Sequence, residues 1–429
     1  MSRGWLASLP LLFALGAHGA ESTLDDWDDW GDEDEEEVTG LVWTGFAEAG
    51  VGVRIDGGDD PDSLTLGDLR FQAKTEWVTE SKTLQFKGDG WYDGVSEQLE
   101  FDLRELSLRF SPAKSVDVSI GQQVLTWGTG DLVFLNDLFP KDFQSFFSGR
   151  DDEYLKAPSA AVRVTHYGEA FNTDLVWTPE FTPDRYLTGE RFSFFDPRQG
   201  QIAVPEPRIG GKEPSQNFSN GEFAIRMFKR IEATEVAVYG YRGFYKQPLS
   251  VDEAGQFIHP SLSVYGASLR RPAGSGVFSG EFAWYDSRDD RSGDDPNVPN
   301  SQARILFGYE RELVRNWQLG LQYYGEWTAN LDRLRRNAPP EMHVPDELRS
   351  LLTARVTGRL RRETLILSLF IFASPTDKDL HLRPRVSLRM SDTWTVTGGA
   401  NLFYGDEVHT FFGQLEENNN VYLRVTRFY

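Results

Sequence analysis

An all-β fold, a transmembrane antiparallel up-and-down β-barrel of about 18 strands, is what the sequence predicts, on three observations. Apolar and polar residues alternate with a period of two along most of the 429 residues. The connections between these stretches alternate short with long, and the number of stretches is even. Alternation puts one face of each strand in an apolar medium and the other in water, and single-chain bacterial barrels have even strand numbers, short turns at one end and long loops at the other. The low mean hydropathy, −0.45 despite an aromatic share of 13%, fits a wall that is apolar on one side and polar on the other.

The chain begins with Arg3, an apolar run from Trp5 to Ala17 and the small residues Ala17-His18-Gly19-Ala20. That order predicts a signal peptide over residues 1–20, too short to anchor in a bilayer. Residues 21–38 follow as an acidic segment, with eleven acids and no base between Glu21 and Glu37. Like charge at that density cannot pack on itself, so a disordered periplasmic segment is expected, or a tail that enters a basic lumen as a plug. The barrel is assigned to residues 39–429.

Strand periodicity starts at Leu41 and runs to Ile55, with Leu41, Trp43, Ala47, Ala49, Val51, Val53 and Ile55 on one face. It returns in Leu69–Trp77, Trp317–Trp327, Leu351–Arg361 and Leu380–Met390. Short turns are read at 79–82, 111–115, 167–169, 229–233, 271–276, 312–316, 361–363 and 391–393. The long connections are 56–67, 128–158, 178–220, 247–260, 286–300 and 329–350, with shorter members near 93–98 and 374–379. Residues 404–419 read as one further loop holding a short helix, which returns the last strand, Asn420–Tyr429, to pair with the first. Closure is required because an open sheet edge in hydrocarbon leaves backbone groups unpaired at several kcal/mol each.

The last strand reads Val421, Leu423, Val425, Arg427, Tyr429 and ends Phe428-Tyr429. This resembles Gram-negative outer-membrane porins, whose terminal aromatic residue is recognised by the barrel-assembly machinery. The run Ile120-Gly121-Gln122-Gln123-Val124-Leu125-Thr126-Trp127-Gly128, followed by Asp131, Asp137 and Pro140-Lys141-Asp142, is also similar to that of several porin-like families. Gln122 stands where those families commonly carry Arg, so no role of that Arg is carried over. The resemblance implies an outer-membrane location and passive passage of small hydrophilic solutes.

If the apolar face meets lipid, the opposite parity points into the lumen. Leu351–Arg361 then turns Arg355, Arg359 and Arg361 inward, and Leu380–Met390 turns His381, Arg383, Arg385 and Arg389 inward. Two strands, separated by one, give a basic patch of six arginines, which stay charged and suit carboxylates or phosphates. Either the patch prefers anions, or it pairs with carboxylates elsewhere on the wall, such as Glu76, Asp117, Glu281, Glu310 and Glu326. The loop 128–158, rich in Phe and carrying Asp131, Asp137, Phe143, Arg150, Asp151 and Asp152, resembles the loop that narrows the channel in porins. Packing over the rim is the alternative. The loop 178–220 is a second candidate lid. Small inward residues (Gly88, Gly308, Gly320, Gly399) favour an open pore, and large ones (Tyr324, Phe370, Phe372, Phe403) a filled one.

No cysteine is present, the six histidines are scattered, and no His-Glu-x-x-His run occurs, so no metal, cofactor or catalytic centre is expected. With 66 acids against 44 bases, the chain is not a nucleic-acid binder. Expected partners are outer-membrane lipid and lipopolysaccharide, the barrel-assembly machinery and small hydrophilic solutes, with homo-oligomerisation left open. Two other functions stay open: a barrel that serves as an adhesion or assembly scaffold, and a conduit that exports an anionic polymer.

Overall fold

A computed structural model describes residues 41–55, 63–196, 200–203, 210–340 and 342–429. The expected signal peptide and acidic segment lie outside the described residues. The rest builds one closed antiparallel sheet of 18 strands. In chain order these are β1 (Trp43–Arg54), β2 (Leu64–Val78), β3 (Lys82–Asp93), β4 (Gln98–Ala113), β5 (Val116–Gln123) and β6 (Ser159–His166). Next come β7 (Asn172–Thr178), β8 (Glu222–Ile231), β9 (Thr234–Phe244), β10 (Ser261–Ala273), β11 (Gly276–Ser287) and β12 (Gln302–Val314). The ring ends with β13 (Trp317–Thr328), β14 (Leu348–Leu360), β15 (Leu365–Ser374), β16 (Asp379–Arg389), β17 (Trp394–Gly405) and β18 (Asn420–Phe428).

Each strand pairs with its neighbour in sequence, and β1 pairs with β18 from Phe46 opposite Phe428 to Arg54 opposite Asn420. The ring therefore has no edge. Its short turns reverse within a few residues, helped by left-handed backbone at Glu232 (φ 53°) and Asn316 (φ 70°).

Exposure follows the expected parity with the sign that lipid requires. On β2, Leu69 is 65% exposed while Arg70, the next residue, is 4% exposed. An arginine more buried than the adjacent leucine inverts the pattern of a soluble protein and suits a sheet whose outer face meets hydrocarbon. Leu99, Phe101, Tyr265, Leu321, Leu352 and Val386 belong to the same exposed outer surface.

Three features differ from the sequence reading, and one agrees with it. Parity stops at the end of β14, so Arg361 is exposed in the turn 361–364, with a left-handed φ of 51°, and does not stand on the wall. Gly88 pairs with the outward Ala73, and so belongs to the outer face. Two short helices, Phe143–Ser148 and Leu331–Asn337, are too brief to show a helical period. The final loop holds a 3₁₀ turn, Gly413–Asn418, as the sequence reading of one loop with a short helix anticipates.

Candidate functional site

The third long connection, residues 124–158, folds into the barrel and is held by the wall residue by residue. It leaves β5 with left-handed backbone at Gly128 and Leu132. Glu281, on the inward face of β11, gathers the turn: it accepts from the Thr129 amide, from Thr129 Oγ1 at 2.9 Å, from the Gly130 amide at 3.0 Å and from Asn136 Nδ2 at 2.7 Å. Asp131 meets Arg355 of β14 at 2.9 Å. Asp137 stays within the loop, bound to Lys141 Nζ at 3.0 Å and accepting from Thr126 Oγ1.

The helix Phe143–Ser148 follows, capped by Asp142, whose carboxylate accepts from the Ser145 amide at 2.7 Å. Gly149 ends it at φ 89° against the Tyr422 ring, where any Cβ would stand 2.2 Å from a ring carbon. Only glycine allows both that backbone and that approach.

From Arg150 onward the loop sets one base and then three acids against the wall. Arg150 donates to Asp68 of β2 at 2.7 and 3.0 Å and to Asp93 of β3 at 3.0 Å. Asp151 pairs with Arg424 of β18 at 3.3 Å, itself paired with Glu48 of β1 at 3.0 Å. Asp152 takes Arg383 at 3.0 Å and Arg385 at 3.2 Å, both on β16. Glu153 takes Lys87 of β3 at 2.9 Å. Tyr154 lies beneath the guanidinium groups of Arg70 and Arg104, 4.4 and 4.7 Å from its ring centre, and donates its hydroxyl to Asp89 at 3.2 Å. Burial pushes the Asp152 carboxyl up, but Arg385, Arg383 and Arg355 outweigh it and hold it well below the usual carboxylate range.

The apolar side of the loop turns to the rest of the interior. Phe146 and Phe147 pack on a column formed by Phe372, His381 and Phe403, with Phe192, Phe412 and Leu415 closing the cluster. His381 is sandwiched between Phe372 and Phe403, with ring centres 5.5 and 4.4 Å away, so the only histidine on β16 is a packed core residue. Tyr324 and Phe370 are buried in the same cluster. Nearer the short turns the inward side chains Lys74, Glu76, Arg109 and Glu310 are exposed, which leaves that half of the lumen to water.

The structure thus brings Asp152, Arg355, Arg383 and Arg385 around one gap of about 10 Å³, room for about a single water, which Leu132 and Phe370 also line; Asp131 is tied to the same Arg355. Arg359 stands apart, donating to Gln318 at 3.2 Å. Arg389 is half-buried near the end of β16 and makes no ion pair among the described residues. The wall carboxylates expected to face the arginines have other partners. Glu76 accepts from Gln85, Asp117 from Ser111 and Tyr167, Glu310 from Gln318, and Glu326 pairs with Arg304 at 3.2 Å. The loop supplies the arginines' counter-charges instead, because it lies inside the ring and closer to them than the opposite wall.

The fourth connection, residues 179–221, secures the third. Arg185 grips Asp102 of β4 at 2.8 and 3.1 Å and Asp142 at 3.3 Å, while its backbone carbonyl accepts from the Phe143 and Gln144 amides. Beside it, Asp184 accepts from the Lys141 amide at 2.8 Å. Burial pushes the Asp184 carboxyl up to about 6, against the opposing charges of Lys141 and Lys246. Its ordinary value is 3.8, so between those two values the folded protein holds a proton that the unfolded chain has lost. Stability should rise as pH falls from neutrality through 6, and level off below about 4. Melting temperature against pH checks this, with Asp184→Asn expected to flatten that window; an equal slope in the variant would assign the effect to another group.

No protein-family profile matches the chain, and no curated protein matches it either. Solved structures do match in fold. Acinetobacter baumannii OccAB3 superposes with a TM-score of 0.54 at 9% identity, over 91% of this chain and 99% of that one. OccAB4 of the same organism gives 0.53 at 10% identity, over 92% and 100%. Pseudomonas aeruginosa OccD3 gives 0.50 at 9% identity, over 91% and 92%. The likeness spans the whole ring, and the chain has the 18-stranded fold of outer-membrane porins.

Proposed function

We propose that the chain sits in the Gram-negative outer membrane as a passive channel for small hydrophilic solutes, with no cofactor and no catalytic step. The observation that carries this reading is the third connection, folded inside a lipid-facing ring and bound to wall arginines through Asp131 and Asp152. A segment held there by ion pairs narrows the path beside the arginine wall, with water-accessible charged residues below it. The same arginines favour anionic solutes, since three guanidinium groups, Arg355, Arg383 and Arg385, meet two carboxylates, Asp131 and Asp152, and leave one positive charge in excess. Lipid and lipopolysaccharide are the partners of the outer face.

The dense apolar packing of Phe147, Phe192, Phe403 and Leu415 favours a second reading, a barrel that serves as a scaffold and passes nothing. Planar-bilayer recording of the full chain under a salt gradient separates the two. Discrete conductance steps with a reversal potential on the anion side are expected. A correctly inserted barrel with no steps overturns the channel reading in favour of the scaffold.

A further inference from the structure

The outer wall carries a pair of arginines just above its apolar band, on the long-loop side. Leu262 and Val264 of β10 are buried in the interior cluster, so Ser263 and Tyr265 face outward. Register carries that face across the neighbouring strands. Arg242 of β9 stands opposite Ser263, and Ser263 opposite Asp286 of β11. Two residues nearer the short turns, Gly240, Tyr265 and Trp284 form the next outward row, and Val238, Ala267 and Phe282 the row below it. Val238, Tyr265 and Phe282 are exposed apolar surface, and tyrosine and tryptophan mark the level where hydrocarbon gives way to headgroups. Arg242 therefore stands at headgroup height. It is exposed and makes no ion pair or hydrogen bond among the described residues. Arg288, from the loop after β11, reaches across β10 and donates through Nη2 to the Gly243 carbonyl at 2.7 Å, which brings it beside Arg242. Its Nε–H is buried and has no acceptor among the described residues. The neighbouring acids are engaged: Asp286 accepts from Arg291 Nε and Nη2, each at 2.8 Å, and Asp289 accepts from the Ser261 amide at 2.7 Å. Burial and the like charge of Arg242 outweigh Asp289 and draw the Arg288 guanidinium below its usual value, as befits a cation short of an anion.

We propose that Arg242 and Arg288 bind a phosphate group of an outer-leaflet lipid, a phosphorylated and acylated glycolipid of the lipopolysaccharide class, whose acyl chain lies over Gly240. Guanidinium groups present paired N–H donors that match phosphate oxygens, and basic clusters at a membrane face hold anionic headgroups. Gly240 supplies the track below them: it has no side chain, and Ile225 on one side and Tyr265 on the other stand up as its banks. A free phosphate would gain the arginines alone, whereas a lipid gains the arginines and the apolar rows beneath them, so the arrangement favours the lipid. The assignment rests on the reading of the chain as an outer-membrane barrel and does not depend on whether that barrel conducts.

The test is native mass spectrometry of the detergent-solubilised full chain titrated with bis-phosphorylated lipid A, in EDTA so that the aspartates cannot bridge through a divalent cation. Arg242→Gln/Arg288→Gln is run beside Arg311→Gln, which changes an exposed arginine at the opposite end of the strands. The parent should bind lipid A saturably, and Arg311→Gln should match it. The double variant should bind about tenfold more weakly, and dephosphorylated lipid A should bind the parent about as weakly as that. Circular dichroism establishes that each variant keeps the barrel. Affinity in the folded double variant within about twofold of the parent, or equal binding of the dephosphorylated lipid, would leave the lipid on the apolar face alone and overturn the assignment. Displacement of lipid A by millimolar inorganic phosphate would make the pair a free-phosphate site and overturn it as well. Conductance plays no part in these readings, so failure here is separate from failure of the channel reading.

Discussion

Replacing Arg150 by methionine should destabilise the loop inside the barrel by about 3 kcal/mol, the lower end of what removing one partner of a buried ion pair costs. The cation is 6% exposed and is shared by Asp68 and Asp93, which are 2% and 4% exposed. Methionine fills the volume and leaves two carboxylates in a dry place with less counter-charge. The lower end applies because Arg70 stays 3.3 Å from Asp68, and Arg191 stays on Asp93. Thermal melts should show the loss, and proteolysis should cut residues 124–158 faster than in the parent. Adding Asp68→Asn to Arg150→Met should recover part of the stability, because the pair is then removed together. A variant that melts with the parent and resists protease equally would mean that the loop is held by its aromatic face alone.

Replacing both Arg355 and Arg385 by alanine should move selectivity away from anions. The change removes two positive charges beside the gap and leaves Asp131 without its guanidinium partner, while Asp152 keeps only Arg383. A unit charge about 4 Å from a passing ion is worth about 1 kcal/mol in water-like surroundings, favourable to an anion and unfavourable to a cation, so each arginine should change the anion-to-cation ratio by up to roughly 30-fold. The reversal potential under a salt gradient reads that ratio directly. High salt should shrink the difference between parent and variant, because the charges are partly wetted. An unchanged reversal potential in a conducting variant would place the selectivity elsewhere on the wall.

The ring was legible because a barrel repeats one rule in every strand. Alternation alone orients Leu69 and Arg70, and it oriented Arg355, Arg383 and Arg385 toward the loop that holds them. It failed where a strand ends, which is why Arg361 belongs to a turn and not to the wall. The partners of the arginines were not legible. Asp152 and Arg383 are 231 positions apart in a chain with 66 acids, and nothing local marks which acid reaches which base. A stronger signal was available in Leu365–Ala373, which reads Leu-Ile-Leu-Ser-Leu-Phe-Ile-Phe-Ala. A strand that is apolar at nearly every position is covered on both faces, here by lipid outside and the loop's Phe146 and Phe147 inside. That run points to an occupied interior, and the Phe-rich loop points to its occupant.

Glu48 and Arg424 lie 376 positions apart, yet their ion pair and the β1–β18 ladder form a single seam. Assembly consequently has no halfway point of comparable solidity. A nascent chain that stops short of Asn420 has two unpaired margins and no way to satisfy either within the bilayer. Contacts of such separation also form slowly, because the whole intervening polypeptide must be gathered before the last one is made. Only a chain that carries both ends of the ladder can close into a finished cylinder.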